Sequence, residues 1–161
     1  MQDATESDFS LSGLKARFEG KEVRNSFSPA GNWLEHRLEK IEKGTATISL
    51  TVKHDMTNPF GNLHGGMMAV IIDETIGWSV LSLESEQHYT SLNLNLDFLF
   101  GISEGERLAC TSTVIRQGKK VIHVAVEVRH AEKQTLLARA SSNLIASSWS
   151  AHQLRTKRKE A

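Results

Sequence analysis

The sequence predicts an α+β domain in which one long helix is laid against a curved antiparallel sheet of about five to six strands. Three observations predict it. The stretch from Gly65 to Leu83, GGMMAVIIDETIGWSVLSL, is apolar almost all round and does not alternate, which makes it a helix enclosed on most sides. The stretch SLNLNLDFLF alternates strictly, with Leu92, Leu94, Leu96 and Phe98 on one face and Asn93, Asn95 and Asp97 on the other, as a half-buried strand does. The other apolar segments keep the same period of two between short polar turns.

Taken in order, residues 1–32 form an N-terminal arm with a short helix from Leu11 to Phe18 that Gly20 ends. Its aromatic residues Phe18 and Phe27, with Trp33 after it, either cover a pocket or pack on the sheet. Trp33 to Val52 reads as a hairpin turning at Lys43-Gly44. HDMTNPFGNLHGG, rich in Asn, Gly and Pro, is a loop. Behind the helix come the alternating strand above and three more, Arg107 to Arg116, Val121 to His130 and Leu136 to Ala146. Their connectors SEGE, QGKK and AEKQT have the length of hairpin turns, so the four strands are expected as a meander. The domain then spans residues 33–148, and residues 149–161 make a basic, solvated tail.

A chain of 161 residues fits one core. Its 19 Lys and Arg balance 19 Asp and Glu, so no overall charge draws it to nucleic acid or an anionic membrane, and neither partner is expected. Asp73 and Glu74 break the most apolar run before it reaches a membrane-spanning length. The lone Cys110 rules out an internal disulfide, and the acidic N-terminus lacks the features of a signal peptide; a cytoplasmic protein is expected. The seven histidines show no paired metal spacing, so neither a metal nor a cofactor is expected. A Gly-x-Ser-x-Gly elbow and a Gly-rich phosphate loop are also missing from the sequence.

Polar chemistry concentrates in NPFGNLHGGMMAVIIDETIG. His64-Gly65-Gly66 opens the helix, where free N–H groups suit an anion or oxyanion; glycines there also serve a purely conformational start. Asp73 lies in the middle of an apolar helix, a costly place for a carboxylate that is neither paired nor working. Glu74, about 100° further round, is the competing acid. Gly65 and Asp73 are eight positions apart, about 12 Å along the axis, so one substrate carbonyl cannot meet both within a chain. If both serve one reaction, Asp73 comes from a second subunit whose helix runs antiparallel across a two-fold axis.

The run Asn58-x-x-Gly61-x-Leu63-His64-Gly65-Gly66, with Asp73 nine residues after the histidine, resembles the hotdog-fold acyl-CoA thioesterases of the phenylacetate-pathway and thioesterase-superfamily-2 type. The resemblance covers residues 33–148 and implies a homodimer, often paired again into a tetramer, that acts on acyl-CoA. It implies that the Gly65 N–H polarises the thioester carbonyl with help from Asn58, that His64 orients Asn58 and the loop, and that Asp73 of the opposite subunit activates or orients water. Ser91 matches the family serine that holds this water, with Thr90 beside it as a substitute. Gly66 belongs to the same substrate-binding turn. Arg116, Lys119 and Lys120 around Gln117-Gly118 match basic residues that meet the nucleotide end of coenzyme A, which is here part of the substrate; an ordinary charged hairpin is the plainer alternative. Met67, Met68, Ile71 and Trp78 are candidates to line the acyl pocket or are plain core. A non-catalytic acyl-CoA sensor on the same fold is the competing function.

Overall fold

The computed structural model describes residues 10–150. Residues 1–9 and 151–161 lie outside them, and with them all but the first two residues of the predicted tail, 149–161; those two end the last strand. Helix α1 (Leu11–Phe18) starts where the Ser10 hydroxyl accepts the Gly13 N–H at 3.1 Å, and the chain leaves it through Gly20 at φ +72°. A two-residue strand β1 (Lys21–Glu22) follows, then helix α2 (Pro29–Leu34), which Ser28 caps and Pro29 opens. Trp33 and Leu34 thus end a helix, and the predicted hairpin begins only at β2 (Arg37–Glu42). Glu35 at φ 52° makes the break between them. β3 (Thr45–Thr51) returns after Gly44, whose φ of +78° suits a glycine at that turn.

Helix α3 (Gly65–Leu81) crosses the sheet and buries Met68, Ile71, Ile72, Thr75, Ile76 and Trp78. Small hydroxyls bring it close: Ser79 and Ser112 share a hydrogen bond of 2.7 Å, and Ser82 accepts the Gly44 N–H at 2.8 Å. The helix is enclosed on most sides, as its composition predicts, and open on one. Gly66, Val70, Asp73 and Gly77, spaced four, three and four apart, form an exposed stripe. None of the described helices is long and apolar enough to cross a membrane.

The long strands are β4 (Gln87–Phe98), β5 (Arg107–Gln117), β6 (Val121–His130) and β7 (Leu136–Ser150). Strand order is β1-β2-β3-β5-β6-β7-β4, with every pairing antiparallel. The sheet has seven strands, the additional one being β1. The meander holds for β5, β6 and β7 only, because β4 joins the far side of β7. Residues 99–106 are a crossover rather than a hairpin turn. They pass over three inter-strand spacings of about 4.8 Å each, and the Leu63 N–H holds them by donating to Ile102 O at 2.8 Å. A bulge at Leu92 interrupts the strict alternation of β4 and leaves that leucine exposed.

The N-terminal segment is built into the core. Leu14, Phe18, Val23 and Leu34 are buried, and Phe18 meets Trp78 edge to face at 5.2 Å. The Trp78 indole N–H donates to His36 Nε2 at 3.0 Å, and His36 Nδ1 donates to Gly31 O at 3.2 Å, so both ring nitrogens of this neutral histidine are used. Burial pushes the His36 pKa down to about 4. Trp78, Met68 and Ile71 are therefore core residues. Buried Cys110, its thiol pushed up to about 12 by the same effect, packs under α3.

Candidate active site

The loop before α3 is shaped by Asn58. Its side-chain oxygen accepts the Phe60 and Asn62 N–H groups at 2.9 and 3.2 Å, while Gly61 takes a φ of +78°. The amide nitrogen of Asn58 has no partner among the described residues and remains a donor. His64 caps α3: its Nδ1 accepts the Gly66 N–H at 2.9 Å, and its own N–H donates to Met56 O at 2.9 Å. It forms no hydrogen bond to Asn58, so its influence on the loop runs through the helix start.

This cap separates the two glycines. The Gly66 N–H is spent on the histidine ring, whose approach also crowds that position, since a Cβ on Gly66 would lie 3.2 Å from His64 Nδ1. The Gly65 N–H has no partner among the described residues. It stands at the positive end of a helix of 17 residues and is available to an oxyanion.

Two turns along, Asp73 is exposed on the open stripe, and the Ser91 hydroxyl of β4 donates to its Oδ1 at 3.3 Å. Thr90 is on the opposite face of β4, as the pleat requires, and pairs with Ile145. Glu74 turns the other way, over Gly31 of α2, so closely that a side chain on Gly31 would collide with its carboxylate. Burial raises the Glu74 pKa and the neighbouring Asp73 adds to this, while interactions with Ser28 and Trp78 oppose it. Within one chain the donor end and the carboxylate end of α3 remain about 12 Å apart.

At the β5–β6 turn the Gly118 N–H donates to Val121 O at 2.9 Å, and the same oxygen leaves no room for a Cβ on Gly118. Arg116, Lys119 and Lys120 are exposed there and form no ion pair among the described residues. A cavity of about 470 Å³ on another part of the surface contains Arg24, Lys53 and Arg107 but none of the predicted site residues. Its cations are neutralised locally by Glu22, Glu35 and Glu39 at 2.6–2.9 Å.

The family model described as "Thioesterase superfamily" matches residues 60–137, a span that includes His64, Gly65, Asp73, Ser91 and the Arg116–Lys120 hairpin. A putative esterase of Sulfurisphaera tokodaii is 30% identical over 91 residues, covering 56% of this chain and 67% of that protein. The chain belongs to the thioesterase superfamily. Human acyl-coenzyme A thioesterase 13 is 27% identical over 123 residues, covering 73% of this chain and 87% of its own length. The crystal structure of zebrafish thioesterase superfamily member 2 superposes with a TM-score of 0.73 at 20% identity, covering 86% of this chain and 99% of that one. The shared fold is the hotdog fold, and membership makes this protein a thioester hydrolase.

In this thioesterase, two features of the site escape sequence reasoning. Phe98 lies against Gly65, and alternation placed it on the inner face of β4 without indicating what it meets there. The anchoring of Glu74 by α2 is also invisible, because the contact joins residues more than 40 positions apart; the only signal was Ser28-Pro29, a helix start inside the presumed arm.

Proposed function

We propose that the protein is an acyl-CoA thioesterase that acts as a homodimer, each active site combining the Gly65 end of one α3 with the Asp73 end of the other. The observation that carries this reading is the Gly65 N–H, left open by a cap that spends its neighbour, on the same helix as an exposed Asp73 already bonded to Ser91. The open stripe of α3 lies beside β4, an edge strand of 12 residues with Leu92 and Phe98 exposed. An edge of that length and apolarity invites pairing with a second copy. Antiparallel pairing across a two-fold axis brings Gly65 of one chain toward Asp73 of the other, twice.

In the reaction, the thioester oxygen accepts from the Gly65 N–H and the Asn58 amide. Asp73 and Ser91 of the opposite chain hold a water, which adds to the carbonyl carbon as its proton passes to Asp73. The C–S bond then breaks and coenzyme A leaves as a thiolate. Negative charge accumulates on the carbonyl oxygen during this addition, and one preorganised donor there is typically worth about 3–4 kcal/mol. The unpaired Arg116, Lys119 and Lys120 supply the cationic rim for the phosphates, and relatedness to an acyl-coenzyme A thioesterase supports that substrate.

Complementation tests the composite site. Gly65→Pro removes the donor at a first helical position, where the backbone accepts proline while the Phe98 ring is pushed aside, and Asp73→Asn removes the carboxylate. Each homodimer should lose thiol release from acyl-CoA, and mixed dimers should regain one intact site of two. Mixed dimers no more active than either parent would sink the two-subunit site; binding of acyl-CoA without turnover by wild type would favour the sensor.

A further inference from the structure

Phe98 has no part in the chemistry described so far, yet it touches the reactive end of α3. The residue is 60% exposed, and Leu99 and Phe100 after it are exposed as well. A Cβ built on Gly65 would lie 3.2 Å from Phe98 Cζ and 3.4 Å from Cε1. The ring therefore occupies the space a side chain at Gly65 would need, and the free N–H of Gly65 opens beside it. The backbone that carries the ring is fixed to β7. Phe98 pairs with Ala138 on β7, and the Leu99 and Phe100 N–H groups both donate to Leu137 O, at 2.9 and 3.1 Å. Further on, Ser103 Oγ donates to Asn62 Oδ1 at 3.2 Å, tying the same segment to the loop that shapes the donor end.

We infer that Phe98 is a specificity wall: its ring limits what the substrate carries on the carbon next to the thioester carbonyl, so that unbranched acyl groups are accepted and α-branched ones are disfavoured. The inference rests on the acyl-CoA thioesterase reading. With the carbonyl oxygen about 3 Å from the Gly65 N–H and the acyl side of the thioester turned toward β4, the α-carbon comes within reach of the ring. The coenzyme A side of the thioester is the same in every substrate, so discrimination by the ring acts on the acyl side. Adding a methyl branch forces either the ring off Gly65 or the carbonyl off its donor. One methyl group in an apolar pocket typically changes kcat/KM by about 10- to 200-fold.

The test compares kcat/KM for butyryl-CoA and isobutyryl-CoA in wild type, Phe98→Ala, Phe98→Leu and Phe98→Tyr. Wild type should favour the straight chain by at least about tenfold. Phe98→Ala should move the ratio toward one, mainly through faster turnover of isobutyryl-CoA, Phe98→Leu should fall between, and Phe98→Tyr should keep the wild-type ratio. The ratio is internal to each preparation, so partial loss of folded protein or of dimer lowers both rates and leaves it unchanged. A wild-type ratio near one overturns the wall, as does an unchanged ratio in Phe98→Ala or, should that chain not fold, in Phe98→Leu. If wild type hydrolyses neither substrate, thiol release from aryl and long-chain acyl-CoAs decides the thioesterase reading separately. The same proteins titrated with the two acyl-CoAs by calorimetry then decide the wall, and equal affinities for both ligands in wild type overturn it.

Discussion

The two faces of α3 take adjacent residues into opposite environments. On the inner side Trp78 is sealed between Phe18 and His36, and Glu74 is turned toward α2 with its pKa raised by burial. On the outer stripe Asp73 is open, one position away in sequence and about 100° away around the axis, and accepts a hydrogen bond from Ser91 of β4. The difference teaches that two neighbouring carboxylates on one apolar helix divide between a packed and an open environment according to which face each occupies. The inner face holds the fold together, and the outer face is left open for the water and the second copy of the proposed mechanism.

The comparison breaks most sharply at the two acids. Asp73→Asn should lower kcat for acyl-CoA by about 10²–10⁴-fold, the usual worth of a general base, with little change in melting temperature. Glu74→Gln should leave kcat within a few fold. Comparable loss in both variants, read by thiol release, would erase the distinction. The next largest effect tests the inner face: Trp78→Ala should cost about 3–5 kcal/mol in denaturant unfolding, since it empties a packed site and strips His36 of a partner.

His36 sharpens the same face through pH. Its folded pKa of about 4 lies below its ordinary 6.5, so the unfolded chain binds the proton more readily. Its share of stability is complete above about 6.5 and is lost as pH falls toward about 4. Denaturation measured across that window should show the decline in wild type and a flatter profile in His36→Gln; parallel profiles would refute the assignment. Glu74 runs the other way in sign: its raised pKa means that its contribution is present below the ordinary carboxylate value and lost as pH rises through the folded one. The smallest effect extends the comparison to cations that are paired and cations that are not. Lys119→Ala with Lys120→Ala should raise KM for acyl-CoA several fold with kcat unchanged, while Lys53→Ala, which removes a lysine already bound to Glu35, should leave KM alone.

Much of the site was legible because its signals are local. His64-Gly65-Gly66 before an apolar run states a helix start, and the offset to Asp73 follows from helical rise alone. Alternation located β5 and β6 to within a residue and the start of β7, whose end it placed four residues short. What was not legible depends on contacts between distant segments. SEGE has the length of a hairpin turn, and only the packed structure shows the chain crossing over to leave β4 beside β7. Which of two glycines keeps a free N–H depends on the rotamer of His64, and which of two acids is buried depends on α2, a helix read as part of an arm.

By itself the sequence determined the local conformations, the one apolar helix and the residue types at its two ends, because backbone periodicity, capping and burial cost act over a few residues. Tertiary structure decided the strand order, the inner and outer faces of α3, the pairing of Ser91 with Asp73 and the placing of Phe98 on Gly65. Those outcomes depend on which surfaces meet once the chain has folded back on itself, and no short stretch of sequence holds both sides of such a contact.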